Sequence, residues 1–460
     1  VTRLSEASLS ALPEGLDAPH YDRASQAQGI VHFGLGAFAR AHLAWYTDKA
    51  LNAGENGWLI TGVSMRSPAV GEQLNPQDGL YSLTERSADG ECTRVMGAIR
   101  EVLLADADRQ RIVDLIASPD CHIASFTVTE KGYCRRPDGS LDQSLAAQGF
   151  YPLLGEALAR RHASGLLGLT LLSCDNLAHN GRVLEKLLGE WLAAHQPQAT
   201  GWFAHECTCP ETMVDRIVPA MTAANLDEAQ ALLGDVRDEG AIFTESFSQW
   251  VIEDRFAGPR PRWEEHGAQI VADVAPYETA KLRMLNGAHS LLAYCGLAKG
   301  HTYVHQAIAD PDLRTLVQRL MLDEAAPTIR TAPGQDLPAY AEALIARFEN
   351  PALQHRLAQI AMDGSQKLPQ RWLAVLAERQ AQGLSSTAIM RGLAAWLRHV
   401  RGDNGPVDDP LAADLEAASQ QPDTAAMIRA IVGPGGLVGS PWHPSDDEIA
   451  QLQTALGEAR

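Results

Sequence analysis

Short β-branched runs alternate with helical stretches through the first 275 or so residues of this 460-residue chain, and then the alternation stops. GIVHFGLG, WLITGVSM, CHIASFTVTE and LGLTLLSCDN each read as a strand bounded by turn residues. Between them lie helix-like stretches such as ARAHLAWYTDKALNAG and GRVLEKLLGEWLAAH. Strands separated by helices need crossover connections, which implies a parallel, doubly wound sheet. Later segments differ. YETAKLRMLNGAHSLLAYCG, LRTLVQRLMLDEAAPTI, LPAYAEALIARFEN, PALQHRLAQIAM, STAIMRGLAAWLRHVRG and DTAAMIRAIVG all have helical periodicity, and no strand is expected among them. The expected fold class is α/β with two domains: a parallel-rich sheet domain over residues 1–275 and an all-α domain over residues 276–460. GDNGPVDDP and GPGGLVGSPWHPSDDE read as loops.

Charge and composition exclude several partners. The net charge of −19 argues against nucleic acid or an anionic membrane, since both need a basic patch. Apolar runs such as SLLAYCGLA are too short to span a bilayer. The opening VTRLSEASLSALPEG has no signal-peptide core, so a cytoplasmic location is expected. Seven cysteines at irregular spacing make no disulfide framework. HECTC (His205, Cys207, Cys209) holds metal-ligand types, but it lacks the usual two-residue spacer and a second cluster nearby. No metal is expected.

Gly34, Gly36 and Ala39 form G-x-G-x-x-A between the strand IVHF and a helix. That is the setting of the dinucleotide fingerprint of Rossmann-type domains. Gly34 would allow the tight turn, Gly36 the approach of a pyrophosphate, and Ala39 close helix–strand packing. The competing reading is a glycine turn in an ordinary α/β protein. After the second strand, VSMRSP offers Ser64, Arg66 and Ser67 where NAD enzymes usually carry an acid. Arg66 can meet a 2′-phosphate or simply be a solvated turn residue. NAD is expected, with NADP open.

KLRMLNGAHS raises the chemical question. Reduction of a ketone needs a proton carrier, a donor to the carbonyl oxygen and a bound nicotinamide. Lys281 can carry the proton if its surroundings bring its pKa towards neutrality, and Asn286 and His289 can hold the oxygen. On an α-helix the three fall within an arc of roughly 140°. Leu285 lies in the same arc, so a helix with a solvated lysine and buried polar groups is the alternative. Other polar clusters follow strands or helices: Asp175 and Asn176 in SCDN, Glu130 and Lys131 in TVTEKGY, Asp215 and Arg216 in TMVDRI, and Lys367 and Arg371 in AMDGSQKLPQR. Each can equally be a cap, a turn or a surface pair.

Together GIVHFGLGAFARAH, TVTEKGYC, SCDNLAHNG, TMVDRIVP, SFSQWVIED, KLRMLNGAHS and AMDGSQKLPQR, in this order along nearly the whole chain, resemble the long-chain mannitol dehydrogenase family. That family includes the fructuronate and tagaturonate reductases. The resemblance implies a Rossmann-type first domain, a helical second domain and a cleft active site without a catalytic metal. It makes Lys281 the general acid/base. Asn286 and His289 would bind the reacting oxygen, and Asn176 would help hold that oxygen and the lysine. Asp215 would bind substrate or tune the lysine, Lys367 would contact the substrate chain, and Glu130 would pass protons to solvent. It also implies a monomer acting on a sugar acid or polyol. Two departures bear on substrate and cofactor. The acidic pair of many mannitol dehydrogenases is absent after the second strand, and Gln359 stands where many have arginine. The run NPALQHRLAQIAMDGSQKLPQR resembles the fructuronate reductase branch, in which Arg356, Lys367 or Arg371 could meet a substrate carboxylate. The expected reaction is reduction of fructuronate to mannonate. Mannitol 2-dehydrogenase is the alternative, and a non-catalytic dinucleotide-binding sensor is the reading from another class.

Overall fold

All four residues of the run IVHF are buried, as a strand covered on both faces requires. The computed structural model describes residues 2–88 and 90–458, and this run is strand β1 (Ile30–Phe33). The other strands are β2 (Ile60–Ser64), β3 (Tyr81–Ser87), β4 (Gly90–Met96), β5 (Ile99–Leu104), β6 (Ile123–Phe126), β7 (Thr170–Ser173), β8 (Thr212–Asp215), β9 (Ile242–Glu245), β10 (Gln249–Glu253) and β11 (Gln269–Val271). One sheet has the order β5-β2-β1-β6-β7, and every pairing in it is parallel. The order reverses between β1 and β6, so the crevice that takes ligands in doubly wound sheets opens at their carboxyl ends. Helices such as Tyr151–Ala163 and Asn180–His195 supply the crossovers and pack through Leu154, Leu158, Leu187 and Leu188.

The chain divides into two compact units, one ending at Val274 and one beginning at Ala275. The first is Rossmann-like, as expected, but it holds more than one sheet. A mixed sheet β4-β3-β9 pairs β3 with β4 antiparallel and with β9 parallel, and a second, β11-β10-β8, is also mixed. The sequence reading found none of these strands and also missed β5. Their residues are largely polar on one face, and β3 takes its parallel partner from about 160 residues further on, a pairing that no local pattern announces. Buried Arg216 ties this region together by pairing with Glu85 and donating to the carbonyls of Ala41 and Glu245. TMVDRI thus supplies a structural cation alongside Asp215.

In the second unit the described residues form no strand, only an isolated bridge between Tyr303 and Arg356. PALQHRLAQIAM is not a continuous helix. It breaks into Pro351–Leu353 and Leu357–Ile360 around left-handed Gln354. The longer departure is in three helices that each widen for one turn from four- to five-residue hydrogen bonding, over Lys281–Asn286, Leu320–Ala325 and Pro369–Leu373. The first packs against both of the others. No helix among the described residues is long and apolar enough to cross a membrane.

The turn at Leu320–Ala325 carries buried Glu324. Its two oxygens accept the Ala388 and Ile389 N–H groups at 2.7 and 2.9 Å, capping the helix Thr387–Val400 that holds Trp396 in the core. Two buried N–H groups lose their partner in Glu324→Ala. The substitution is expected to cost about 2 kcal/mol, read as a lower urea midpoint at unchanged slope. An unchanged midpoint would show that the cap contributes nothing.

Candidate active site

Four expected residues of the first unit lie at the carboxyl edge of the parallel sheet: Gly34 and Gly36 after β1, Glu130 after β6 and Asn176 after β7. Gly34 has φ +87°, and a Cβ there would sit 2.3 Å from Thr127 O, so only glycine fits. Gly36 differs: a Cβ would meet nothing nearer than Gly34 O at 3.8 Å, leaving open space over the turn. Ala39 is buried in the core cluster that also holds Ile30 of β1 and Ile60 of β2. Tight turn, open second glycine and small packed residue fit a dinucleotide pyrophosphate. Arg66 stands exposed two residues beyond β2.

A buried histidine holds this turn. Thr127 Oγ1 donates to Gly34 O at 2.8 Å, so its free lone pair takes His32 Nε2–H at 2.8 Å. His32 Nδ1 is then the acceptor for the Ser125 hydroxyl at 2.8 Å. Burial pushes the pKa of His32 down to about 3, against the pull of the Gly34 carbonyl. The chain of bonds joins β1 to β6 where the strand order reverses. Its signal in the sequence is a histidine inside an otherwise apolar strand, which the motif reading passed over.

Asn176 and Glu130 are exposed, and each follows a fixed backbone. Asp175 is buried and accepts the N–H groups of Val128 and Thr129. Asn180 Nδ2 donates to Asp175 O at 3.0 Å and to Thr212 O at 3.0 Å, tying the end of β7 to the start of β8. Asp215 is buried at the far end of β8, paired across to Gln249. Cys207 and Cys209 of HECTC are buried, and Cys207 Sγ accepts the Leu169 N–H. No cluster of three or more metal-ligand side chains occurs among the described residues.

In the second unit one helix carries Lys281, Asn286 and His289. It runs α over Ala275–Ala280, π over Lys281–Asn286 and α again over Gly287–Ala298. The 140° arc expected for an α-helix is therefore wrong. With five-residue bonding each residue turns less about the axis, so Asn286 lies closer to the line of Lys281 than on an α-helix. Burial follows: Met284 and Leu285 are in the core, whereas Lys281, Asn286 and His289 are half-buried.

Arg371 and Trp372 support the end of this turn. Arg371 Nη1 donates to Asn286 O at 3.2 Å and Ser290 Oγ at 2.9 Å, and Trp372 Nε1 donates to Gly287 O at 3.1 Å. Arg371 Nε is buried with no partner among the described residues. Burial pulls the Arg371 pKa down to about 10. Lys367 Nζ donates to Met362 O at 2.6 Å, with Asp363 at 3.9 Å; burial and the Arg371 charge lower its pKa. The His289 ring lies 4.8 Å from Phe348 and edge-on to His355 at 5.3 Å. Burial first, then His355, Arg347 and Arg371, hold its pKa well below the usual histidine value, so it is a neutral donor or acceptor at pH 7. His355 was not foreseen, while Arg356 is exposed over the Tyr303 ring.

Comparison with known proteins gives a consistent result. The mannitol dehydrogenase Rossmann domain matches residues 28–265, and the mannitol dehydrogenase C-terminal domain matches residues 273–433. Uncharacterized oxidoreductase YeiQ of Escherichia coli (strain K12) is 42% identical over 450 residues, 92% of this chain and 91% of that protein. D-mannonate oxidoreductase of the same strain is 38% identical over 458 residues, 95% of this chain and 94% of that protein. The solved Pseudomonas fluorescens mannitol 2-dehydrogenase ternary complex with NAD and D-mannitol is similar with a TM-score of 0.80 and 32% identity, covering 99% of this chain and 96% of that one.

The His32 network generates a pH test. Its folded pKa, about 3, lies below the unfolded value near 6.5, so between these limits the unfolded chain binds the extra proton. The His32 contribution to stability is complete above pH 6.5 and is lost as pH falls towards 3, by at most about 1.4 kcal/mol per pH unit. His32→Gln is expected to flatten the acid limb of urea stability against pH relative to wild type. Parallel acid limbs would contradict a buried neutral imidazole.

Proposed function

We propose that this chain, which belongs to the mannitol dehydrogenase family and is thus a nicotinamide-dependent oxidoreductase of sugar alcohols or acids, reversibly reduces a keto-hexuronate, with fructuronate to mannonate as the favoured reaction. The observation that supports the reading is the turn of five-residue bonding over Lys281–Asn286, which draws Asn286 towards the line of Lys281 just ahead of half-buried His289. Lys281 gives a proton to the carbonyl oxygen during reduction and takes it back during oxidation. Asn286 and neutral His289 hold that oxygen by hydrogen bonds, which matter most as it gains negative charge. Asn176 shares this load, Asp215 and Lys367 contact the substrate chain, and Glu130 passes the proton of Lys281 to solvent. The nicotinamide supplies the hydride when bound. The open turn at Gly36 would take the pyrophosphate, and Arg66 would tolerate a 2′-phosphate, so both NADH and NADPH are admitted.

Two features favour a carboxylate substrate. Lys367 and Arg371 put two cations on one segment of the helical unit, each turned to backbone carbonyls with capacity to spare. A relative of nearly full-length overlap is named D-mannonate oxidoreductase. The mannitol 2-dehydrogenase reading has its own support in the neighbour solved with D-mannitol, and in Arg371 already donating to the helix.

Turnover of D-fructuronate, D-tagaturonate and D-fructose with NADH and NADPH separates these readings. The uronate reading expects fructuronate to lead by at least about tenfold in kcat/KM, as loss of one ion pair would give. A lead for fructose would make the enzyme a polyol dehydrogenase. Lys281→Ala is expected to bind NADH normally and lose turnover about a thousandfold. Unchanged turnover in that variant would remove Lys281 as the acid/base, and absence of turnover by wild type on every sugar would favour a sensor.

A further inference from the structure

Thr129 adopts φ +64° in the turn after β6. That left-handed backbone is strained for a β-branched residue and persists only where neighbouring bonds enforce it. The enforcing group is Asp175. One carboxylate oxygen accepts the Thr129 N–H at 2.9 Å, and the other accepts the Val128 N–H at 3.1 Å and the Tyr133 hydroxyl at 2.9 Å. Asp175 is itself fixed on both sides. Its carbonyl receives Asn180 Nδ2, and its N–H reaches Ser173 Oγ at 3.4 Å, which also meets the Tyr133 hydroxyl at 2.5 Å. Burial raises the pKa of Asp175, and the three donors pull it back.

The placement of this clamp is functional. Thr129 is followed directly by Glu130, and Asp175 directly by Asn176. One buried carboxylate thus sets the backbone of two residues assigned above, Asn176 to the reacting oxygen and Glu130 to proton passage, just beyond the adjacent strands β7 and β6. We propose that Asp175 is a positioning residue of the reaction, holding Asn176 and Glu130 in mutual register by clamping the strained turn at Thr129. The inference rests on the functional reading above. It concerns kcat, because both neighbours act on the proton and the reacting oxygen, not on ground-state binding.

Asp175→Asn keeps the volume but leaves one acceptor oxygen where two are used. The variant is expected to lose at least about tenfold in kcat while KM for sugar and for NADH stays within about twofold. Adding Thr129→Gly removes the strain, because glycine adopts the left-handed turn freely. The double variant should then recover roughly threefold or more of the lost kcat. A kcat for Asp175→Asn within twofold of wild type would overturn the inference. So would equal losses in kcat and both KM values with no recovery on adding Thr129→Gly, the pattern of a merely destabilised protein. Should Asp175→Asn not accumulate, Tyr133→Phe deletes one donor and leaves the carboxylate. A few-fold fall in kcat at unchanged KM then supports the clamp, and an unchanged kcat refutes it. A fully active Lys281→Ala would sink the functional reading alone, since the coupling of Asp175 to Thr129 is measured on whichever sugar turns over.

Discussion

One turn of five-residue hydrogen bonding in the helix Ala275–Ala298 determines what the helical unit can present. With α-helical bonding throughout, Leu285 would share a face with Lys281, and Asn286 would stand well round the cylinder from it. The widened turn brings Asn286 nearer the line of Lys281, while Met284 and Leu285 lie in the core. Such turns are poor in isolation and survive where tertiary contacts replace what they lose. Here the replacements are specific. Arg371 and Trp372 donate to the carbonyls of Asn286 and Gly287, and the turns at Leu320–Ala325 and Pro369–Leu373 pack alongside. A charged donor to a buried carbonyl contributes about 1.5–3 kcal/mol, enough to hold a single irregular turn.

The same device recurs in both units: a buried polar side chain that holds backbone, directly or through one hydroxyl. His32 reaches the glycine turn through Thr127, Asp175 holds Thr129, and Glu324 caps the helix at Thr387. Buried polar groups are costly unless fully bonded, and backbone N–H and C=O groups at turns and helix ends are the partners in supply. Each of these side chains therefore satisfies itself and fixes a loop or helix end. In the sheet unit, two of the loops so fixed lead directly to the glycine turn and to Glu130.

How much of this could be read from sequence depended on how local its cause was. IVHF and the glycine turn were legible because a buried strand and a left-handed glycine leave their mark within a few residues. The switch to helices near residue 275 was legible for the same reason. Strands β3, β4 and β8 to β11 were not, since their polar alternation has meaning only beside partners far along the chain. Lysine, asparagine and histidine in KLRMLNGAHS were recognisable as a chemical set. The turn that aligns them was not, because five-residue bonding uses the same residue types as four-residue bonding and is imposed from Arg371 and Trp372. Arg371 itself illustrates the limit. Its charge suggests a substrate contact, but only coordinates reveal that one of its nitrogens already serves the helix. The clamp of Asp175 on Thr129 was hidden in the same way, by a separation of 46 residues along the chain.

The most direct test is to insert one alanine after Leu282, which puts Asn286 six and His289 nine residues from Lys281 and turns both away from it. Helix content and NADH affinity should be preserved while kcat falls by at least about a hundredfold, because Lys281 moves off the face of Asn286 and His289. An insertion variant that folds, binds NADH and turns over at the wild-type rate would show that the alignment of Lys281 with Asn286 and His289 is not what the chemistry requires.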